Sequence, residues 1–77
     1  MNKHINTFRW ESSTTHNPPL DCQVHLRDSK VGQLVTIEGW EGNKRINGDR
    51  PFVTFRAHEL QSIIDALQQA QKELAGQ

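Results

Sequence analysis

One cysteine, Cys22, leaves the chain without an internal disulfide. No uninterrupted run of hydrophobic residues exceeds two, whereas a bilayer-crossing helix needs about 20 such residues. The opening six residues, from Met1 to Asn6, lack the apolar segment of a signal peptide, so a cytoplasmic protein is expected with no membrane partner. Net charge is also missing: nine Lys/Arg balance nine Asp/Glu, which argues against coating nucleic acid by bulk charge alone. There is no phosphate-binding glycine-rich loop, and Gly39, Gly42 and Gly48 read as turn or bulge residues. Metal-ligand spacing is limited to one C-x-x-H pair, Cys22 and His25, where a structural zinc site needs four ligands, usually as two pairs. Cys22 is therefore expected as a buried or edge thiol, with no metal and no cofactor. A nucleophilic site would also need an oxyanion hole and a cleft, for which a chain of 77 residues has little room, so no enzyme is expected.

What remains is a chain of 8.8 kDa with 34% hydrophobic residues, which fits one domain over residues 1–77 with a thin core. Without a disulfide or metal, a partner subunit is the remaining way to supplement such a core. Residues 1–7 are polar and are expected to fray. Alternation of apolar and polar residues predicts strands over 8–12, 23–28, 34–40 and 51–56. A loop over 13–21 holds Pro18 and Pro19, a turn spans 29–33, and 41–50 reads as one polar hairpin loop. From Ala57 the period changes. Leu60, Ile63, Ile64, Leu67 and Leu74 fall on one stripe of an amphipathic helix, with Glu59 in its first turn and Lys72 near its end.

The predicted fold class is α+β, a four-stranded antiparallel β-meander followed by one C-terminal amphipathic helix. One sheet face, carrying Val24, Leu26, Val35, Ile37, Val53 and Phe55, is expected to pack against the helix stripe. The stripe is wider than so short a sheet needs, which predicts a homodimer whose interface includes Leu60, Ile63, Ile64, Leu67 and Leu74. Alternation sends Gln23, His25, Arg27, Thr36, Glu38, Trp40, Phe52, Thr54 and Arg56 to the other face, with Arg9 and Trp10 able to join from the first strand. Aromatics offer bases a surface to stack on and arginines meet phosphate oxygens, the combination that single-strand binders use. A mixed polar face is also what any half-solvated antiparallel sheet presents, and Trp40 and Phe52 equally suit a cross-strand pair. Charge is modestly asymmetric: residues 1–57 carry eight Lys/Arg against six acids, and residues 58–77 one against three.

The order Val24-His-Leu-Arg27, Leu34-Val-Thr-Ile-Glu-Gly-Trp40, Lys44-Arg45, Phe52-Val-Thr-Phe55 and then His58-Glu59-Leu60 into the helix resembles the positive cofactor four family of transcriptional coactivators. The resemblance covers roughly residues 23–74 and is one of order and spacing. It implies a ββββα chain that dimerises and binds single-stranded DNA on its curved sheet. By position it implies Arg27, Trp40, Lys44, Arg45 and Arg56 as binding residues, which Phe52 joins from the strand pattern. The chain departs from the family in its neutral charge, in its helix start Ala57-His58-Glu59-Leu60, and in its middle loop. The expected function is thus single-stranded nucleic-acid binding in transcription, replication or recombination. The alternative is a small phage- or plasmid-type accessory protein that binds and modulates a host protein through its sheet or helix surface. Zero net charge and an aromatic-bearing sheet suit that role as well.

Overall fold

The computed structural model describes residues 2–11, 19–48 and 50–76. Its strands are β1 (Lys3–Trp10), β2 (Leu20–Ser29), β3 (Gly32–Glu41), β4 (Lys44–Ile46) and β5 (Val53–Arg56), and its helix is α1 (Leu60–Ala75). A single 3-10 turn, Ala57–Glu59, joins β5 directly to α1. The α+β class and the antiparallel meander are as the alternation predicts, in the order β1-β2-β3-β4, with β5 added alongside β3.

Three elements differ from the sequence expectation. Residues expected to fray form the first half of β1, held by pairs such as His4 with His25 and Asn6 with Val24. The polar loop over 41–50 contains β4, which gives the sheet five strands instead of four. Gly42, at φ +63°, lets β3 reverse into β4 within two residues, a backbone conformation open to glycine. Of the loop expected over 13–21, residues 12–18 lie outside the described residues, while Leu20 and Asp21 already belong to β2.

β3 is the axis of the sheet. One edge pairs along its whole length with β2, from Ser29 opposite Gly32 to Asp21 opposite Trp40. The turn between them is closed by the Val31 N–H donating to Ser29 Oγ at 3.1 Å. The other edge of β3 is divided. Residues Gly39 to Glu41 pair with β4, and Leu34 to Ile37 pair with β5. The register fixes the two faces, because residues opposite each other in an antiparallel ladder project to the same side. Leu20, Cys22, Val24, Leu26, Val35, Ile37, Val53 and Phe55 share the apolar face, the side to which alternation assigned its inner set.

The helix does not cover that face. No residue of α1 is buried, and Leu67 and Leu74 are 66% and 69% exposed. It is the 3-10 turn that packs on β3. The expected sandwich of sheet and helix within one chain is therefore not formed, because α1 leaves β5 with no linker that would let it turn back. The Arg56 N–H donates to Glu59 Oε2 at 3.3 Å and pins that exit. On its polar side the helix is supported by Gln61 donating to Asp65 and Gln69 donating to Glu73, both at 2.8 Å and one turn apart. No helix among the described residues is long and apolar enough to cross a membrane.

Candidate nucleic-acid interface on the polar face

The polar face is organised by one carboxylate. Glu38 sits on the central strand, 2% exposed, and is met by two arginines, an indole N–H and a histidine. Arg27 of β2 donates from Nη2 to Glu38 Oε1. The Trp40 indole N–H, two residues along β3 and so on the same side, donates to Oε2 at 3.2 Å. Arg45 of β4 brings Nη2 to 3.5 Å of Oε2, and His25 brings Nε2 to 3.8 Å. Arg27 stands opposite Leu34, two register rows from Glu38, so its side chain must run along the sheet past the His25–Thr36 row. Thr36 on that row is also 2% exposed, and its hydroxyl has no hydrogen-bond partner among the described residues.

Protonation follows from this packing. Burial works to raise the Glu38 pKa, but the hydrogen bonds from Trp40 and Arg27 and the charges of Arg45 and Arg27 outweigh it, and the carboxyl is held below its ordinary value. Burial lowers the His25 pKa, and the attraction of Glu38 does not restore it against His4, Arg27 and Arg45. His25 is further fixed by Gln23, whose Oε1 lies 3.0 Å from Nε2, and by the His4 ring at 5.1 Å edge-on.

Glu38 consumes only part of what surrounds it. A guanidinium has five donors, and Arg27 and Arg45 remain 41% and 31% exposed. The Arg45 guanidinium also lies over the Trp40 ring at 5.3 Å. That pair is a flat, cationic and partly solvated surface, fastened at the Trp40 N–H. The register adds Arg9 and Arg56 to the same side, so the face carries four arginines beside Asp21 and Glu38, and Arg9 is engaged by a third carboxylate, Glu11, at 3.0 Å.

Of the sequence candidates, Arg27, Trp40, Arg45 and Arg56 share this face. Lys44 does not: it stands opposite Glu41 in β4, one residue from Arg45, and alternation sends it to the other side. Phe52 is also a correction. It precedes β5, its N–H donates to Ile37 O at 2.8 Å, and its ring lies against Gly39 on the apolar face. A Cβ at Gly39 would come within 2.2 Å of that ring, so the glycine is the floor on which Phe52 rests. Trp10 joins Phe52 on the apolar side, with ring centroids 6.1 Å apart at 78°. Together with Phe8, Cys22, Ile37 and Val53 these rings line an open groove of about 320 Å³.

Sequence reasoning placed Glu38 on the polar face but did not find its organising role. The signal was its i, i+2 spacing to Trp40, yet Arg27 and Arg45 reach it only through a register that spacing does not supply. The C-x-x-H pair is separated by the fold, with Cys22 buried on the apolar face and His25 on the polar one. Burial pushes the Cys22 thiol pKa up, with a further contribution from Asp21. Comparison with protein-family models, with curated proteins and with solved structures finds no match to this chain.

Proposed function

We propose that the polar face binds single-stranded nucleic acid, acting in the cytoplasm in transcription, replication or recombination and performing no chemistry of its own. The observation that carries this reading is the Arg45–Trp40 pair flanked by Arg27, with the local carboxylate already neutralised and buried. A base stacks on a guanidinium plane or an aromatic ring for about 1–3 kcal/mol, and the donors of Arg27 and Arg56, with those of Arg9 that Glu11 leaves, meet phosphates. The whole chain is neutral, so affinity comes from the local excess of arginine on one face and falls as salt rises.

The test uses Trp40 as reporter in a Trp10→Phe chain, titrated with a 20-nucleotide oligothymidylate at low salt. The expected result is quenching of Trp40 fluorescence, reversed by salt. Arg45→Ala should weaken binding about tenfold or more, which corresponds to the loss of one stack. Unchanged fluorescence at low salt, with no shift in a parallel gel assay, rejects the reading.

The second reading, an accessory protein that modulates a host protein, is favoured by a different surface: the groove around Phe8, Trp10 and Phe52 and the exposed helix stripe. A protein partner retained from lysate after nuclease treatment supports it.

A further inference from the structure

Among the described residues, two apolar surfaces stand open, one on the sheet and one on the helix. The first is the apolar side of the sheet, where Phe8 is 48% exposed and Phe52 and Val53 are each 36% exposed. The second is the stripe of α1, open at Ile64, Leu67 and Leu74. We infer that two copies of this chain dock reciprocally, the helix of each lying in the aromatic groove of the other's sheet. The inference is independent of what the polar face binds.

Two quantities support a second copy as the occupant. A folded monomer of 8.8 kDa is expected to expose about 4,800 Å², whereas this chain exposes 6030 Å². The surplus of about 1,200 Å² exceeds the roughly 800 Å² that each partner hides in a standard interface. The Cα radius of gyration is 14.0 Å, against about 11.5 Å for a compact chain of this length.

Among the described residues, the chain's own helix does not cover the sheet. The 3-10 turn Ala57–Glu59 follows β5 without an intervening linker and packs on β3, so the direction of α1 is set where it leaves the sheet. A second copy meets the same constraint and resolves it, because two identical helix-and-sheet pairs related by a two-fold axis satisfy each other at once. This arrangement differs from pairing of the two helices alone, which would leave the rings of Phe8, Trp10 and Phe52 in water.

Two measurements on the full chain test it. Light scattering should give about twice 8.8 kDa for the parent, and Leu67→Asp should reduce that to the monomer mass. In a Cys22→Ala background that keeps the parent mass, chains carrying Phe8→Cys are mixed with chains carrying Leu67→Cys and oxidised. Disulfide formation between the two different chains is the expected result. A monomeric parent overturns the inference. So does a dimer in which Leu67→Cys chains cross-link only to one another, or in which the mixed pair fails to cross-link.

Discussion

The two faces of this sheet are covered by different means, and the apolar one only in part: Leu20 and Cys22 are 1% exposed, whereas Phe8 is 48% exposed. On the polar side, Glu38 and Thr36 are almost fully enclosed, and the carboxylate is met by two arginines, an indole N–H and a histidine. On the apolar side, three aromatic rings stand around an open groove and the helix lies away from them. Long charged side chains can cover a sheet by lying along it, as Arg27 does, because their stems are apolar and their heads find a fixed anion. Short rings at strand ends cannot do this and need a second layer. Among the described residues, the anion at the centre of the polar face is thus covered by side chains of the sheet itself, whereas the groove on the apolar face stays open.

The largest expected effect breaks the closed side. Glu38→Leu removes the anion while leaving Arg27, Arg45 and the Trp40 N–H in place. Breaking a buried pair costs about 3–5 kcal/mol, and the partial exposure of both guanidinium groups reduces this to about 2–3 kcal/mol. Urea denaturation should show that loss. A variant as stable as the parent would mean that the ring of donors around Glu38 does not hold this face together.

On the open side the corresponding change is Gly39→Ala. The added methyl group meets the Phe52 ring, which must swing out of the groove. We expect a loss of about 1–2 kcal/mol, in the lower part of the range for overpacking because the ring has solvent to move into. The edge contact between Phe52 and Trp10 should be lost with it, read as a red shift of Trp10 emission in a Trp40→Phe background.

Acid sharpens the comparison with a smaller effect confined to the polar face. The His25 pKa is lowered in the folded chain, so below the ordinary value of 6.5 the unfolded chain takes a proton that the folded chain refuses, and stability falls. The Glu38 pKa is also lowered, so its contribution is complete above the ordinary 4.5 and is lost as pH falls through the folded value. Denaturation midpoints should therefore decline in two stages on acidification. His25→Gln should remove the upper stage and Glu38→Gln the lower, with Cys22 and the groove contributing to neither. A flat profile from neutral pH down to about 4 would contradict the packing described for His25.

Alternation and helical period were sufficient for the strands that carry Val24, Leu26, Val35 and Ile37, for the face these residues share, and for a helix from the 3-10 turn to Ala75. They were sufficient because a period of two or 3.6 is a local property that any register preserves. Alternation misplaced Phe52, and the resemblance, by position, grouped Lys44 with residues of the opposite face. Both lie beside the turns that split the edge of β3 between β4 and β5, and there one residue of phase reverses the face. β1 was legible only in its second half, since Lys3, His4 and Asn6 are polar and are ordered by pairing with β2 rather than by burial.

Composition and pattern by themselves determined the element types, the amphipathic stripe of α1 and the concentration of arginine on one side of the sheet. Tertiary structure alone decided that Glu38 gathers Arg27, Arg45 and Trp40, and that the helix leaves its own sheet uncovered. Those outcomes depend on which rows of three strands lie side by side and on the angle at which a linkerless turn releases the chain, and neither is encoded in the spacing of residues along one strand.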